Sequence, residues 1–535
     1  MSLVPPEHEE EGPTGRAAPA RAVGEPVVVS SVASRRAFFV KSAAAIAAGA
    51  GTVAVAQRGT MASFRRNTSP TNSAPKVPGL FHNAPPDLAE RWGTPEVRLV
   101  RRITMGMSAA DVADARTLGY EAYLEKQLAY SSIDDSSVAA FITAQYPELA
   151  MDGTALAALN ATTLERQLQE ATLFRAAFSN RQLYERMVEF WSDHFNISVR
   201  KVGYLKLLDD RDVIRANALG KFPDMVRASA HSAAMLAYLD NNTSRFPNVN
   251  QNYARELMEL HTLGVDAGYI QTDVAEVARC FSGWTLGTRG QFVFDATGHD
   301  YGAKSFLGQN IAAAPGPGAA GQRDGEKVLD VLVVHPNTAN FIAKKMARWL
   351  LRYDPPANLV ASVASIYLAT GGSIVPMIRE ILKRENLLNA PVKQKRPFHF
   401  VASALRSLNP KVTKLSTIAQ TQLANLGHES FLWETPDGYP DTVEYWSGGI
   451  MTRWQFGDYV TALTTGEVIV DPTAFRPSDT PDAITGAISS GMFAGELPST
   501  TSGRIKSYLA AAPITTTRVR EALALAINSS SFQWY

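Results

Sequence analysis

Hydrophobic residues from about position 96 onward recur at the spacing of amphipathic helices. Apolar side chains three or four positions apart form one face of a helix, and Ala109–Leu128 shows this pattern. The pattern predicts a mainly α fold, with a large multi-helix domain over residues 94–535. Further helices are predicted at about 162–179, 181–195, 222–239, 250–264, 273–284, 325–334, 336–352, 374–386, 396–407, 441–455 and 516–529.

A Gly-rich excursion near 286–322 interrupts the helical pattern. It contains one predicted strand, Gln291–Phe294. Irregular segments of this length within a compact domain are typically functional or mobile. Two helix starts are also marked: Pro336 is expected at a first helical position, and Asp273 with Glu276 fits a capping box.

The first 93 residues differ from the rest of the chain. Residues 1–33 hold charge, Pro and Gly and are expected to be disordered. A twin arginine in Ser34–Lys41 precedes a weakly apolar stretch that ends at Ala56, and this is typical of a twin-arginine signal peptide over 1–56. Residues 57–93 then form a predicted flexible linker.

The signal predicts transport by the twin-arginine translocase, with cleavage after Ala56, to a periplasmic, extracellular or cell-surface location. An uncleaved membrane tether is the alternative. The apolar stretch is too short and too rich in Ala and Gly to span about 30 Å of hydrocarbon comfortably. The mature chain is therefore expected to have no transmembrane span.

Composition excludes several classes of function. The 52 basic and 51 acidic residues are balanced, which does not favour binding to nucleic acid. Cys280 is the only cysteine, so an intramolecular disulfide, an Fe–S cluster held by several thiolates and a c-type haem attachment are excluded. The sequence also lacks the HExxH, GxSxG, P-loop and dinucleotide-binding motifs.

The predicted helix at 181–195 carries the first candidate chemistry. Glu185, Glu189 and Asp193 share one stripe, and His194 lies among aromatic residues beside it. A histidine near carboxylates is suited to acid–base catalysis or to metal binding. The alternative is a solvated acidic face with a histidine that makes a structural hydrogen bond. His194 is accordingly a candidate for both roles.

The segment at 252–264 carries Glu256, Glu259 and His261 as further catalytic candidates. On one straight helix His261 faces away from Glu259, which differs from the Glu-x-x-His arrangement of di-iron bundles. A helix that ends near Gly264 would still allow His261 to face a neighbouring element. The alternative is a surface pair between Arg255 and Glu259.

A divalent transition metal is one interpretation of the scattered histidines and carboxylates. Asp240 is expected either to bind such an ion or to cap the next segment. His299 lies in the irregular excursion, where functional residues are enriched. The candidate metal ligands are His194, Asp240, His261, His299 and His335.

Several segments together resemble the bacterial "domain of unknown function 1800" family over residues from about 94 to the C-terminus. Members resemble exported proteins and are often encoded beside the "domain of unknown function 1501" family, which is similar to sulfatases and phosphatases. The resemblance therefore implies such an exported partner, but it implies no reaction. The segments are 101–106, 119–124, 190–195, 234–241, 252–264, 281–284, 299–304, 335–345, 436–440 and 531–533.

Two hypotheses follow for the function. The first is an exported metal-dependent hydrolase or oxidoreductase that acts on a periplasmic or extracellular substrate. The second is a non-catalytic scaffold or surface protein that holds a sulfatase- or phosphatase-like partner. An enzyme predicts that the candidate residues converge in a cleft, whereas a scaffold predicts that each lies in its own local pair.

Overall fold

Helices form nearly all of the regular structure, in line with the periodicity of the sequence. The computed structural model describes residues 92–535, and within them it contains 26 α-helices. The first thirteen are α1 Pro95–Ile103, α2 Ala109–Leu118, α3 Tyr120–Leu128, α4 Ser136–Gln145, α5 Gly153–Ala157, α6 Ala161–Phe178, α7 Gln182–His194, α8 Val199–Val202, α9 Leu205–Asp209, α10 Phe222–Ala230, α11 Ala233–Tyr238, α12 Asn252–Glu256 and α13 Gln271–Phe281.

The second half continues the helical pattern to the C-terminus. Its helices are α14 Gln322–Val334, α15 Pro336–Leu350, α16 Ala357–Thr370, α17 Ile374–Ile381, α18 Arg384–Leu388, α19 Pro397–Leu408, α20 Leu423–Asn425, α21 Val443–Trp446, α22 Ile450–Ala462, α23 Pro481–Phe493, α24 Ser499–Ala510, α25 Thr516–Asn528 and α26 Ser530–Gln533.

Shorter helical turns and strands complete the described residues. The π-helical segments are Asp210–Arg215, Leu257–His261 and Thr417–Gln422. The 3₁₀ turns are Tyr130–Ser132, Pro147–Ala150, Asn241–Thr243, Ala296–Gly298, Ala319–Gly321 and Pro472–Phe475. The strands are β1 Trp284–Leu286, β2 Phe292–Phe294, β3 Lys304–Phe306, β4 Gln309–Ile311, β5 Lys411–Val412 and β6 Val468–Ile469.

The strands form three separate antiparallel pairs, β1–β2, β3–β4 and β5–β6. In the first pair Trp284 lies opposite Phe294, and in the second Lys304 lies opposite Ile311. The first two pairs lie largely within the excursion predicted near 286–322. The predicted fold class, mainly α with a short β and loop excursion, is therefore confirmed.

Local sequence explains where several helices begin and end. Gly119, with φ +81°, separates α2 from α3, so that the segment predicted as one helix is two. Pro336 is the first residue of α15, as predicted, and the preceding His335 caps the helix. The prediction that Asp273 caps a helix is wrong by three residues. The helix starts at Gln271, with Ile270 at the cap position, and the carboxylate of Asp273 accepts a hydrogen bond from the backbone N–H of Ile270.

Two main apolar cores lie beneath these helices. The first gathers side chains from 97–128 and 183–390, and the second gathers side chains mainly from 138–177 and 398–532. The helices α7 and α15 pack in the first core, whereas α19 packs in the second. A polar pocket lies where α7 and α15 meet the segment that leads into α19.

The signal peptide predicted over 1–56 and nearly all of the linker predicted over 57–93 lie outside the described residues. The described residues fall within one compact unit. Trp92 is already buried, with the guanidinium of Arg101 lying 4.5 Å from the centre of its ring. Within residues 92–535, no helix has the length and apolar character needed to cross a membrane.

Candidate active site

The pocket where α7, α15 and the segment that leads into α19 meet has a volume of about 280 Å³. It combines three acidic, three basic and several aromatic side chains on four segments of the chain. Pockets at such junctions, with a few convergent polar groups, are the usual sites of ligand binding. Its lining residues are Phe190, Asp193, His194, Lys345, Arg348, Trp349, Arg396, Asp437, Gly438, Tyr439, Pro440 and Asp441.

Helix α7 supplies one wall, and its amphipathic pattern fixes which residues reach the pocket. Leu183, Met187 and Trp191 are fully buried on its apolar face. The indole N–H of Trp191 donates to the backbone oxygen of Ala218 at 3.0 Å, which anchors the C-terminal half of the helix. The last two residues of the helix region, Asp193 and His194, then lie at the pocket wall.

His194 is held from both sides of its ring. Its Nε2 lies 3.1 Å from the backbone oxygen of His261, and its Nδ1 lies 2.9 Å from Nζ of Lys345. A carbonyl oxygen only accepts, so Nε2 carries the proton and Nδ1 accepts from the lysine. The imidazole is therefore neutral, and its tautomer is fixed by these two partners.

Burial and neighbouring charge keep both nitrogen bases of this wall below their ordinary pKa values. The pKa of His194 is lowered well below 6.5 by burial, with Lys345 and His261 contributing. Burial also lowers the pKa of Lys345 to about 8, against the opposing influence of Asp193 and Asp437. Lys345 is thus a proton donor to His194 and titrates close to neutral pH.

Asp193 is the acidic counterpart of Lys345. Burial raises the pKa of its carboxyl to about 6, and the nearby Glu189 adds to the rise, although Arg396 opposes it. Arg396 donates from Nη1 to Asp193 at 2.6 Å and from Nη2 to Glu189. Asp193 and Lys345 therefore line one pocket with pKa values on opposite sides of pH 7.

The ring of Trp349, which lines the pocket, contacts two arginines. The guanidinium carbons of Arg186 and Arg396 lie 4.5 and 4.6 Å from the ring centre of Trp349. Such cation–π contacts stabilise buried guanidinium groups. The indole N–H of Trp349 donates to the backbone oxygen of Arg186 at 3.2 Å. The orientation of Arg396, and with it that of Asp193, is fixed by these contacts.

The loop at 437–441 forms another wall of the pocket and packs against the C-terminal end of α7. Arg348 donates to the backbone oxygen of Asp441 at 2.8 Å, and the ammonium of Lys393 lies 2.7 Å from the carboxylate of Asp441. The hydroxyl of Tyr439 donates to the backbone oxygen of Glu429 at 2.7 Å. These contacts hold the middle and the C-terminal end of the loop in place at the pocket.

The structure brings His261 beside His194, with ring centres 6.0 Å apart. His261 lies in the π-helical segment Leu257–His261, and such segments often occur at functional sites. Its Nε2 is buried and has no hydrogen-bond partner. Burial, together with Lys345, lowers the pKa of His261 to about 3, so this imidazole is neutral too.

The two glutamates predicted with His261 do not line the pocket. Glu256 and Glu259 are half-buried on the same helical segment. Both lie near Tyr269, whose pKa is raised to about 12 by burial first and by these two carboxylates next. The change from α-helical to π-helical winding at residue 257 directs His261 toward His194, whereas the two glutamates do not reach the pocket.

The other three predicted metal ligands have local partners elsewhere. Asp240 is paired with Lys201 at 2.9 Å, and His299 contacts the backbone oxygen of Ser282 at 2.8 Å. The Nδ1 of His335 accepts the backbone N–H of Asn337 at 3.1 Å. Between Trp92 and Tyr535, no three His, Cys, Asp or Glu side chains are grouped as a metal ion requires. A bound metal remains a prediction from sequence alone.

The candidate set from sequence omitted most of the pocket. Asp193 and Lys345 belong to the segments 190–195 and 335–345, and four lining residues belong to 436–440, all of which carried the family resemblance. Their position in segments that resemble the family is the sequence feature that could have identified these pocket residues. Arg396 and Asp441 carried no signal, because their role depends only on what packs against them.

Comparisons with known proteins give a family and no closer relative. The family described as "Protein of unknown function (DUF1800)" matches residues 98–534, most of the chain. No curated protein and no solved structure matched the sequence.

Proposed function

The chain belongs to the DUF1800 family, and we propose that it is an enzyme whose chemistry is general acid–base catalysis by Asp193 and Lys345. The observation that carries this proposal is the presence of both groups on the wall of one pocket of about 280 Å³. Strongly perturbed carboxyl and amino groups that share a cleft are a recognised mark of a catalytic site.

The protonation states assign a role to each group. Between pH 6 and pH 8, Asp193 with its pKa of about 6 is mainly a carboxylate and Lys345 with its pKa of about 8 is mainly an ammonium. Asp193 is then the general base and Lys345 the general acid. His194 is a residue that positions Lys345. It accepts a hydrogen bond from Lys345, and its own ring is fixed by a hydrogen bond to the backbone oxygen of His261.

The lining indicates the kind of substrate. Equal numbers of acidic and basic side chains leave no strong net charge, and Phe190, Trp349 and Tyr439 offer ring surfaces. A neutral polar substrate, or one unit of a neutral polymer, suits this combination. With the signal peptide predicted over 1–56, the substrate is proposed to lie outside the inner membrane.

The decisive experiment compares three variants in one activity screen. The purified full chain is tested for turnover of hydrolase and lyase substrates, alongside Asp193→Asn, Lys345→Met and Lys344→Met. Loss of general acid or base is expected to reduce kcat/KM by about 100-fold or more in the first two variants. Lys344 is exposed on the same helix and does not line the pocket, so its variant is the matched control.

The pH profile adds a second requirement. The kcat/KM of the wild type should rise through about pH 6, as Asp193 ionises, and fall through about pH 8, as Lys345 loses its proton. Undiminished turnover in Asp193→Asn or Lys345→Met, with unchanged melting temperatures, would disprove the proposed roles.

A further inference from the structure

A second and larger pocket lies near the N-terminal end of α7, where Tyr184 and Glu185 line it, whereas the candidate active site lies at the C-terminal end of that helix. Its volume is about 610 Å³, and its walls come from α4, α6, α9 and the π-helical segment that follows α9. One side is apolar and includes Val138, Ile142 and Leu168. The other side carries four arginines, Arg175, Arg181, Arg211 and Arg215.

Three of these arginines have partners within the protein. Arg215 is paired with Glu185 at 2.9 Å and with Asp210 at 3.1 Å. Arg211 pairs with the neighbouring Asp212 at 2.7 Å. Arg181 donates from two nitrogens to the backbone oxygen of Ile133. None of the three needs a ligand to complete its contacts.

Arg175 differs from the other three. It is half-buried on α6 and lines the pocket, yet its guanidinium makes no hydrogen bond or ion pair with any described residue. Burial, with the nearby charge of Arg215, lowers its pKa to about 10, which still leaves it charged at neutral pH. A guanidinium has five N–H donors, and leaving them unpaired away from bulk water is unfavourable.

The acidic residues of the pocket do not supply the missing partner. Asp134 accepts from the backbone N–H of Ser136 at 3.0 Å, and Asp135 accepts from the hydroxyl of Ser179 at 2.9 Å. Arg175 is therefore the arginine of this pocket whose guanidinium has no hydrogen-bond partner among the described residues, although the nearby carboxylates of Glu185 and Asp210 favour its charged form.

We propose that this pocket is a second ligand-binding site, for a small organic monocarboxylate whose charged end pairs with Arg175. The planar guanidinium matches a carboxylate in two parallel hydrogen bonds. The apolar part of the ligand lies against the wall formed by Val138, Ile142 and Leu168. One guanidinium with unused hydrogen-bond donors, in a pocket that also has this apolar wall, favours an organic monoanion over a compact dianion such as phosphate.

This site is distinct from the candidate active site. The two pockets share no lining residue. A narrow cavity of about 40 Å³ lies between them, with Glu185 and Asp210 in common with the larger pocket and Asp193 and Arg396 in common with the smaller. Ligand binding at Arg175 is therefore expected to be independent of turnover at Lys345.

Calorimetric titration of the full chain with sodium octanoate tests the proposal, with 1-octanol and inorganic phosphate as comparison ligands. Octanoate should bind the wild type, and 1-octanol and phosphate should bind more weakly. Arg175→Gln should weaken octanoate binding by about tenfold or more, the scale of a lost charged hydrogen bond. Arg200→Gln removes one positive charge from an exposed position outside the pocket and should bind octanoate as the wild type does.

Other outcomes overturn the assignment. No octanoate binding by the wild type, or equal binding by Arg175→Gln, would show that Arg175 holds no carboxylate. Tighter binding of phosphate than of octanoate would replace the organic monoanion with a compact anion. Because Arg175 has no partner in the protein, its variant should fold with a melting temperature no lower than that of the wild type.

Discussion

Three neighbours determine the hydrogen bonding and influence the pKa of Lys345. His194 accepts a hydrogen bond from the ammonium of Lys345, Asp193 raises the pKa of Lys345 by attraction, and Arg348 lowers it by repulsion. Burial outweighs the attraction, so the pKa falls to about 8. A lysine in this range supplies a proton readily near neutral pH, which an ordinary surface lysine does not.

The pH dependence of amine acylation at Lys345, read by mass spectrometry, checks this balance. In the wild type the midpoint should lie near pH 8. Asp193→Asn removes the attraction and should move the midpoint to lower pH, whereas Arg348→Gln removes repulsion and should move it to higher pH. Shifts in the same direction for both variants would contradict the proposed electrostatics.

At the scale of elements, the C-terminal end of α7 and the loop at 436–440 must approach closely to form the pocket. Gly438 lies against the backbone of Asp193 with φ +73°, and a β-carbon there would overlap the carbonyl oxygen of Asp193. Glycine is required twice at this position, once for the backbone conformation and once for the contact. The loop could not otherwise bring Tyr439 and Asp441 to the cavity.

A pair of glycine variants separates these two requirements. Gly466 also has a positive φ, +90°, but lies in open space, so Gly466→Ala should cost only the conformational strain of about 1 kcal/mol. Gly438→Ala should cost about 1–3 kcal/mol more, because the loop and α7 must separate. Urea unfolding at pH 7 measures both, and equal losses of stability would argue against the close contact.

The acidic stripe of α7 shows what sequence periodicity can and cannot predict. Glu185, Glu189 and Asp193 do lie along one face of the helix, as predicted. That face is covered by Arg215 and Arg396 and does not face solvent as the alternative interpretation held. Helical spacing fixes the relative directions of side chains, but not what packs against them.

At the scale of the whole molecule, buried bases affect how stability depends on pH. Four histidines, His194, His261, His399 and His428, are buried, and burial lowers the pKa of each below 6.5. Below pH 6.5 the unfolded chain binds protons at these histidines and the folded protein does not. Proton binding therefore favours the unfolded chain, and the free energy of unfolding decreases as the pH falls.

Urea midpoints measured from pH 7 to pH 5 test this dependence. The free energy of unfolding should fall with decreasing pH over this range, on the order of 1 kcal/mol or more in total. His399→Gln removes one of the four groups and should make the slope shallower. A free energy of unfolding that is flat or rises on acidification would show that the raised pKa of Asp193, which acts in the opposite sense, dominates.

Local sequence patterns predicted the helical fold and most helix positions, because periodicity and capping residues act within a few positions of one another. The segments that resemble the family also predicted the family. His194 and His261 were both candidate site residues from sequence, and the structure places their rings 6.0 Å apart. The other residues of the pocket depend on tertiary packing. Lys345, Arg396 and Asp441 are far from His194 in sequence, and their protonation and pairing depend on burial that chain order does not encode.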